Sequence, residues 1–326
     1  MYPHRYIFKN ALFLSLLLLS MITGACGSPT SRLSDSSVPA VQPGQHDDQI
    51  SYTFGIVYPM AHPFYEMITQ VAEESARSEQ IRLIVKAPDE ANIEQQIWMV
   101  ETMIKQKVDG IAIDPIDPEA LAPVINKAMD NGIPVICFES DSPDSKRVAF
   151  IGTDNRKAGE LMGKSIEKQL GGRGMVLVES GLSSMLSVKE RLDGMLMYLE
   201  EHTQVQVLEV RYNEGKDSRA LAELENMIDQ HPHFDAFVAM DFVSGSASVL
   251  VWKAKGLTRY AITFGMTPEM KEAMVNGQLS TVISQNEQEW GSMIIDSLMK
   301  ASTGADLAPF LETGVTEVSD PNEFHK

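Results

Sequence analysis

The chain has 326 residues and a formal net charge of −18, from 45 acidic and 27 basic side chains. Such a balance repels nucleic acid and anionic lipid surfaces, so neither is expected to bind the folded part. Hydrophobic content of 44% and charged content of 22% are globular values, and the length suits one large domain or two of ordinary size.

The first residues predict export. Arg5 and Lys9 precede an apolar run, Ala11 to Ile22, and then Thr23-Gly24-Ala25-Cys26. A basic start, a short apolar stretch and small residues before a cut are the marks of a secretory signal. The run is too short to span a bilayer, which needs about 20 apolar residues. Cys26 directly after small residues resembles a lipoprotein box, so residues 1–25 are expected as a lipoprotein signal peptide. Cys26 would then carry the acyl anchor; ordinary secretion with an incidental thiol is the alternative. Residues 26–50 are rich in Ser, Pro, Gln and Gly and read as a flexible linker, spanning roughly 27 Å as a coil. Cys137, in Ile133-Pro-Val-Ile-Cys-Phe138, reads as a small buried hydrophobe, and with Cys26 acylated no disulfide can form within the chain.

From Ser51 onward, short apolar runs alternate with amphipathic stretches. Strands are predicted at 52–57, 81–85, 110–113, 134–138 and 148–151, then at 175–178, 205–210, 236–240, 261–264 and 281–284. Helices are predicted between them at 64–78, 93–107, 119–131, 156–170, 188–200, 218–230, 244–255, 268–276 and 288–301. Wholly apolar strands separated by helices of 10–15 residues mean βαβ units and parallel sheets. Ten strands fit two sheets of about five better than one. The expected class is therefore α/β. Trp98 and Trp290 fall within helices and read as packing residues.

In open α/β sheets ligands bind beyond the carboxyl ends of the strands. There the sequence places Tyr58, His62, Phe64 and Tyr65, then Asp114, then Glu139, and in the second set Asp241 and Gln285. Aromatic faces stack on a sugar or polyol ring, and carboxylates and amides bind its hydroxyl groups. Nucleotide-binding glycine loops, a Gly-x-Ser-x-Gly elbow and a His-Glu-x-x-His motif are all missing from the sequence, which argues against an enzyme. No cofactor is expected, and no metal: His231-Pro-His233 reads as a surface turn.

Several segments resemble ribose-binding-like solute receptors, the type 1 periplasmic binding proteins. These are Phe54-Gly-Ile-Val-Tyr58 with His62-Pro63-Phe64-Tyr65, Val108-Asp-Gly-Ile-Ala-Ile-Asp-Pro115, Asn131-Gly-Ile-Pro-Val-Ile136, Gly152-Thr-Asp-Asn155, Lys189-Glu190-Arg191 with Gly194, and Phe234-Asp-Ala-Phe237. The resemblance implies two Rossmann-like lobes joined by a three-crossing hinge near 152–155, 285–286 and 308–313. The N-terminal lobe would hold 51–153 plus 286–310, the C-terminal lobe 154–285 plus 311–326. It implies a lipid-anchored receptor outside the cytoplasm that hands a sugar to the permease of an ABC importer. A sensory receptor docking on a histidine kinase or chemoreceptor is the alternative.

The implied ligand set is Tyr58, His62, Phe64, Tyr65, Asp114, Glu139, Lys189, Asp241 and Gln285. This sequence departs from the family pattern within it. His62 and Asp241 stand where the family has Asn, Lys189 where the second-lobe helix has Arg, Glu139-Ser140 where there is Asp-Arg, and Gly265 where there is Asp. Structural roles compete at some positions: His62 or Asp114 could cap a helix, and Lys189 could lie on a solvated face.

Overall fold

The computed structural model describes residues 52–320. In the first half the chain runs β1 (Tyr52–Val57), α1 (Pro63–Ser78), β2 (Ile81–Lys86), α2 (Ile93–Gln106), β3 (Gly110–Ile113), α3 (Pro118–Asp130), β4 (Val135–Phe138) and β5 (Ala149–Gly152). It continues through α4 (Asn155–Leu170), β6 (Arg173–Ser180), α5 (Leu186–His202), β7 (Gln204–Tyr212), α6 (Asp217–Gln230), β8 (Ala236–Ala239), α7 (Phe242–Lys255), β9 (Tyr260–Phe264), α8 (Pro268–Val275) and β10 (Thr281–Ser284). A 3₁₀ turn (Glu287–Glu289), α9 (Trp290–Ser302), β11 (Phe310–Glu312) and β12 (Thr316–Val318) follow.

Two six-stranded sheets result, ordered β11-β5-β4-β3-β1-β2 and β12-β10-β9-β8-β6-β7. Every pairing is parallel except that of β12 with β10. This is the α/β type 1 periplasmic binding protein architecture, a parallel-dominated sheet coated by helices in each lobe. The central strands β3, β4, β5, β8 and β10 are buried along their whole length, as strands covered on both faces must be. Cys137 is one of these buried residues.

Side-chain caps fix where the helices start. Asn92, Asp117, Asp154, Asp241 and Thr267 each accept a hydrogen bond from a backbone N–H of the first turn. Pro63, Pro118 and Pro268 sit in first turns, where a missing N–H costs nothing. The α4–α5 contact depends on two glycines. A Cβ at Gly159 would run into the Arg191 carbonyl, and one at Gly194 into the Arg156 carbonyl. The two backbones therefore touch, which fixes α5 beneath the gap between the lobes.

Three segments cross between the lobes, and hydrogen bonds link them. Thr313 N–H donates to Gly152 O at 2.8 Å. Thr153 Oγ1 donates to Gly314 O at 3.0 Å and Asn286 Nδ2 to Thr313 O at 2.7 Å. The last crossing corrects the expectation. β11 runs across the expected boundary at 310/311 and stays whole in the first sheet, so the chain changes lobe at residues 313–315. β11 and β12 carry no apolar run; they are strands because each completes a sheet edge. Trp290 is buried, but Trp98 is 59% exposed on α2 and packs no core. Among the described residues no helix is long and apolar enough to cross a membrane. Residues 1–51 and 321–326, including the expected leader, Cys26 and linker, lie outside the described residues.

Candidate functional site

The first-lobe wall of the gap is built on β1, β3 and β4. At the start of α1, His62 Nδ1 accepts from Phe64 N–H at 3.1 Å and so caps the helix. Burial pushes the His62 imidazole down, against the opposing pull of Asp217, Glu269 and Glu66. This cap sets Phe64 and Tyr65 on the inner face of the first turn. Tyr65 Oη donates to Asp114 Oδ2 at 2.9 Å. Asp114 is fully buried, and burial with the nearby Glu139 raises its carboxyl well above the usual range. Glu139 follows β4 with φ of +59°, a left-handed conformation rare for a residue with a side chain and typical of functional sites. That turn aims its carboxylate at the second lobe.

The second-lobe wall is built on α5, β8 and the crossing after β10. Arg191 is its centre and is 1% exposed. Its Nη1 donates to Met240 O at 2.7 Å, and its Nη2 to Asn155 Oδ1 at 2.8 Å and to Glu139 Oε1 at 3.2 Å. The guanidinium carbon lies 3.5 Å from the Phe264 ring centre, a cation–π arrangement. Ser187 Oγ donates to Glu139 Oε2 at 3.0 Å and Ser187 N–H to Ser140 Oγ at 3.2 Å, so with Arg191 α5 makes three hydrogen bonds to the first lobe. Asp241 caps α7 through Ser244 N–H at 2.9 Å. Burial raises the Asp241 carboxyl; hydrogen bonds from Ser244 and Asn213 and the charge of Arg191 oppose it. Gln285 lines the gap at 2% exposure, and its Oε1 accepts no hydrogen bond within the protein.

The lobes are closed on one another. Phe242 stacks on Phe64 with ring centres 4.4 Å apart and planes 8° apart, and His62 lies against Phe242 at 4.5 Å. At the rim Lys216 Nζ pairs with Glu90 at 2.8 Å. The cavity left between the walls is about 20 Å³, room for one water. A ring-sized solute therefore requires the Phe64–Phe242 stack to part.

The structure brings Phe64, Tyr65, Glu139, Asp241 and Gln285 together around this cavity. Asp114 stands behind Tyr65. Tyr58 is packed away: its ring lies against Tyr65 and Phe138, and its Oη accepts from Thr69 Oγ1 at 3.0 Å. His62 lines an outer groove of about 560 Å³ beside the stack and not the inner cavity. Lys189 is corrected. It is exposed, and Arg191 occupies the place expected of it. Buried positions on α5 fall at 187–188, 191–192 and 194–195, and Lys189 lies on the other face. Helical spacing from Val188 would have pointed to Arg191. The expected loss of a second-lobe guanidinium is thereby overturned.

Sequence reasoning also missed Glu179, the penultimate residue of β6. It is fully buried and neither carboxylate oxygen makes a well-formed hydrogen bond. Burial and the neighbouring Asp241 push its carboxyl up to about 9, with the Asn213 amide opposing. Among the described residues, no group of three or more His, Cys, Asp or Glu could hold a metal. His231 instead meets Glu209 on the surface, Nε2 to Oε2 at 3.4 Å.

The sequence matches the periplasmic binding protein domain family over residues 55–306. The chain belongs to this family. The ribose import binding protein of Bacillus subtilis is 22% identical over 258 residues, covering 78% of this chain and 83% of that protein. A solved solute-binding protein of an ABC transporter from Burkholderia graminis, in complex with D-arabinose, superimposes with a TM-score of 0.80 at 25% identity, over 84% of this chain and 96% of that one. A structure described as a XylFII–LytSN complex shares the fold, with a TM-score of 0.77 at 23% identity over 82% and 97%. Periplasmic binding proteins are substrate-binding proteins that work outside the cytoplasm, and in this one the gap between the lobes is the candidate substrate site.

Proposed function

We propose that this periplasmic binding protein captures a small polar solute, a sugar or polyol, between its lobes and delivers it to the permease of an ABC importer, without catalysing a reaction. The observation that carries this reading is the closed gap itself. Two aromatic faces from opposite lobes, Phe64 and Phe242, meet beside buried polar groups, Glu139, Arg191, Asp241 and Gln285, supplied by both lobes. Only the closed form brings these groups together, so a solute held by both walls favours closure. Closure is then the signal that a membrane partner reads. The relatives named for ribose and D-arabinose support a sugar as the solute class.

We further propose that residues 1–25 are a leader and that Cys26 carries the lipid anchor, with residues 26–50 as a tether. Labelling with a radioactive fatty acid in wild type and in Cys26→Ala tests this; equal labelling of both removes the anchor. The solute reading is tested by thermal shift across monosaccharides and polyols. A true ligand at 100 times its dissociation constant should add about 2.7 kcal/mol of stability. A panel without any shift defeats the reading.

A sensory role is the second reading, favoured by the shared fold with the XylFII–LytSN complex. Deletion of the gene separates the two. Lost uptake of the solute supports transport, and intact uptake with lost gene induction supports sensing.

A further inference from the structure

The buried charges are unbalanced. Among the described residues six charged side chains are buried: Asp114, Glu139, Glu179, Asp241, Glu287 and Arg191. Five are acids, one is a cation, and all six stand at strand ends or on α5 around the gap. Three of the acids are answered by the protein. Asp114 accepts from Tyr65, Glu139 from Arg191 and Ser187, and Glu287 from Ser284 Oγ at 2.6 Å, Gln285 N–H at 2.9 Å and Met266 N–H.

Asp241 and Glu179 form no ion pair, although the charge of Arg191 reaches Asp241. Asp241 lines the cavity and receives only neutral donors, Ser244 N–H at 2.9 Å and the Asn213 amide at 3.4 Å. Glu179 is near it but outside the cavity lining, fully buried, with both oxygens lacking a well-formed hydrogen bond. Across the same cavity Gln285 Oε1 is a third acceptor without a donor. Asp241 and Gln285 thus offer acceptors to the cavity, where a buried negative charge is costly without a partner. An ammonium group offers three donors, no acceptor and a positive charge. The faces of Phe64 and Phe242, once parted, suit a cation as well as a ring.

We propose that the solute is a cation: a polyol or sugar bearing a protonated amine, with the ammonium held at Asp241 and the ring between Phe64 and Phe242. Asp241 is then the specificity-determining residue. The proposal rests on the reading of the gap as a sugar site.

Calorimetric titration of the purified protein with matched pairs tests it: D-glucose with D-glucosamine, D-galactose with D-galactosamine, and D-mannose with D-mannosamine, at a pH where the amine is protonated. In at least one pair the amino sugar should bind about tenfold or more tightly, a gain of about 1.4 kcal/mol. The N-acetyl derivative keeps the nitrogen, loses the charge and should forfeit the gain. Asp241→Asn should bring the amino and neutral partners of the pair to parity. Asp241→Ser, which keeps a side-chain cap for α7 and removes the carboxylate, should abolish the same preference if Asp241→Asn fails to fold. Neutral sugars binding as tightly as their amino partners, or a preference that survives Asp241→Asn, would overturn the charge assignment and leave the sugar receptor standing. An absence of binding in every pair would remove both.

Discussion

The two walls of the gap solve the same electrostatic problem differently. On the first-lobe wall each buried carboxylate has a donor in the closed form: Tyr65 for Asp114, and Ser187 and Arg191 for Glu139. Two of those three donors reach across from the second lobe. In the second lobe Asp241 and Glu179 form no ion pair with either lobe, and the charge of Arg191 reaches Asp241 without a contact. Closure therefore brings a cation to Glu139 and leaves Asp241 and Glu179 to a proton or a guest. A single guanidinium, held by Met240 O and Asn155 before it reaches Glu139, makes the difference.

Removing that guanidinium breaks the contrast most severely. Arg191→Met leaves Glu139 buried and unpaired in the closed form, at a cost of about 3–5 kcal/mol. Small-angle scattering should show the lobes apart, and the melting temperature should fall. An unchanged scattering profile would mean that the ion pair does not hold closure.

Glu179→Gln sharpens the contrast from the other side. The Glu179 carboxyl is pushed from 4.5 up to about 9 in the folded chain. The protonated form fits the fold, so stability is full below pH 4.5 and is lost as pH rises towards 9. At neutral pH the loss is about 3 kcal/mol, at ~1.4 kcal/mol per pH unit. The Gln variant should gain that amount at pH 7 and lose this alkaline slope in thermal melts. Parallel stability curves for the two proteins would contradict the assignment.

Phe242→Ala should act on closure and on solute binding, and leave the lobes themselves intact. It removes a ring pair worth about 0.5–1.5 kcal/mol beyond its buried area. The unliganded protein should expand in scattering while urea unfolding of the lobes changes little. Lys189→Ala is the smallest expected effect, within about 0.5 kcal/mol in stability and with no change in solute affinity, because the side chain faces solvent. A loss of affinity there would return Lys189 to the site in place of Arg191.

Much of the fold was legible because buried parallel strands announce themselves as apolar runs. The run Gly110–Ile113 was read to the residue, and caps such as Asp117 mark the helix starts. β11 and β12 were hidden because Phe-Leu-Glu and Thr-Glu-Val become strands only beside partners already in place. The candidate site was legible where a cavity-lining residue follows a strand end directly, as at Glu139 and Asp241. It failed where direction mattered. Lys189 and Arg191 are two residues apart on a helix, hence on nearly opposite faces, and letter matching alone does not choose between them. Glu179 was missed because it lies inside β6, whose predicted run stopped at Val178.

The cross-linked hinge has a mechanical consequence. Thr153, Asn286 and Thr313–Gly314 tie the three connecting ropes at one end of the gap, so the lobes cannot slide past one another and must pivot. Such a fulcrum gives the longest lever arm to the opposite rim, where Lys216 meets Glu90. A few degrees of rotation there unlatch a doorway before the Arg191 grip near the pivot has let go.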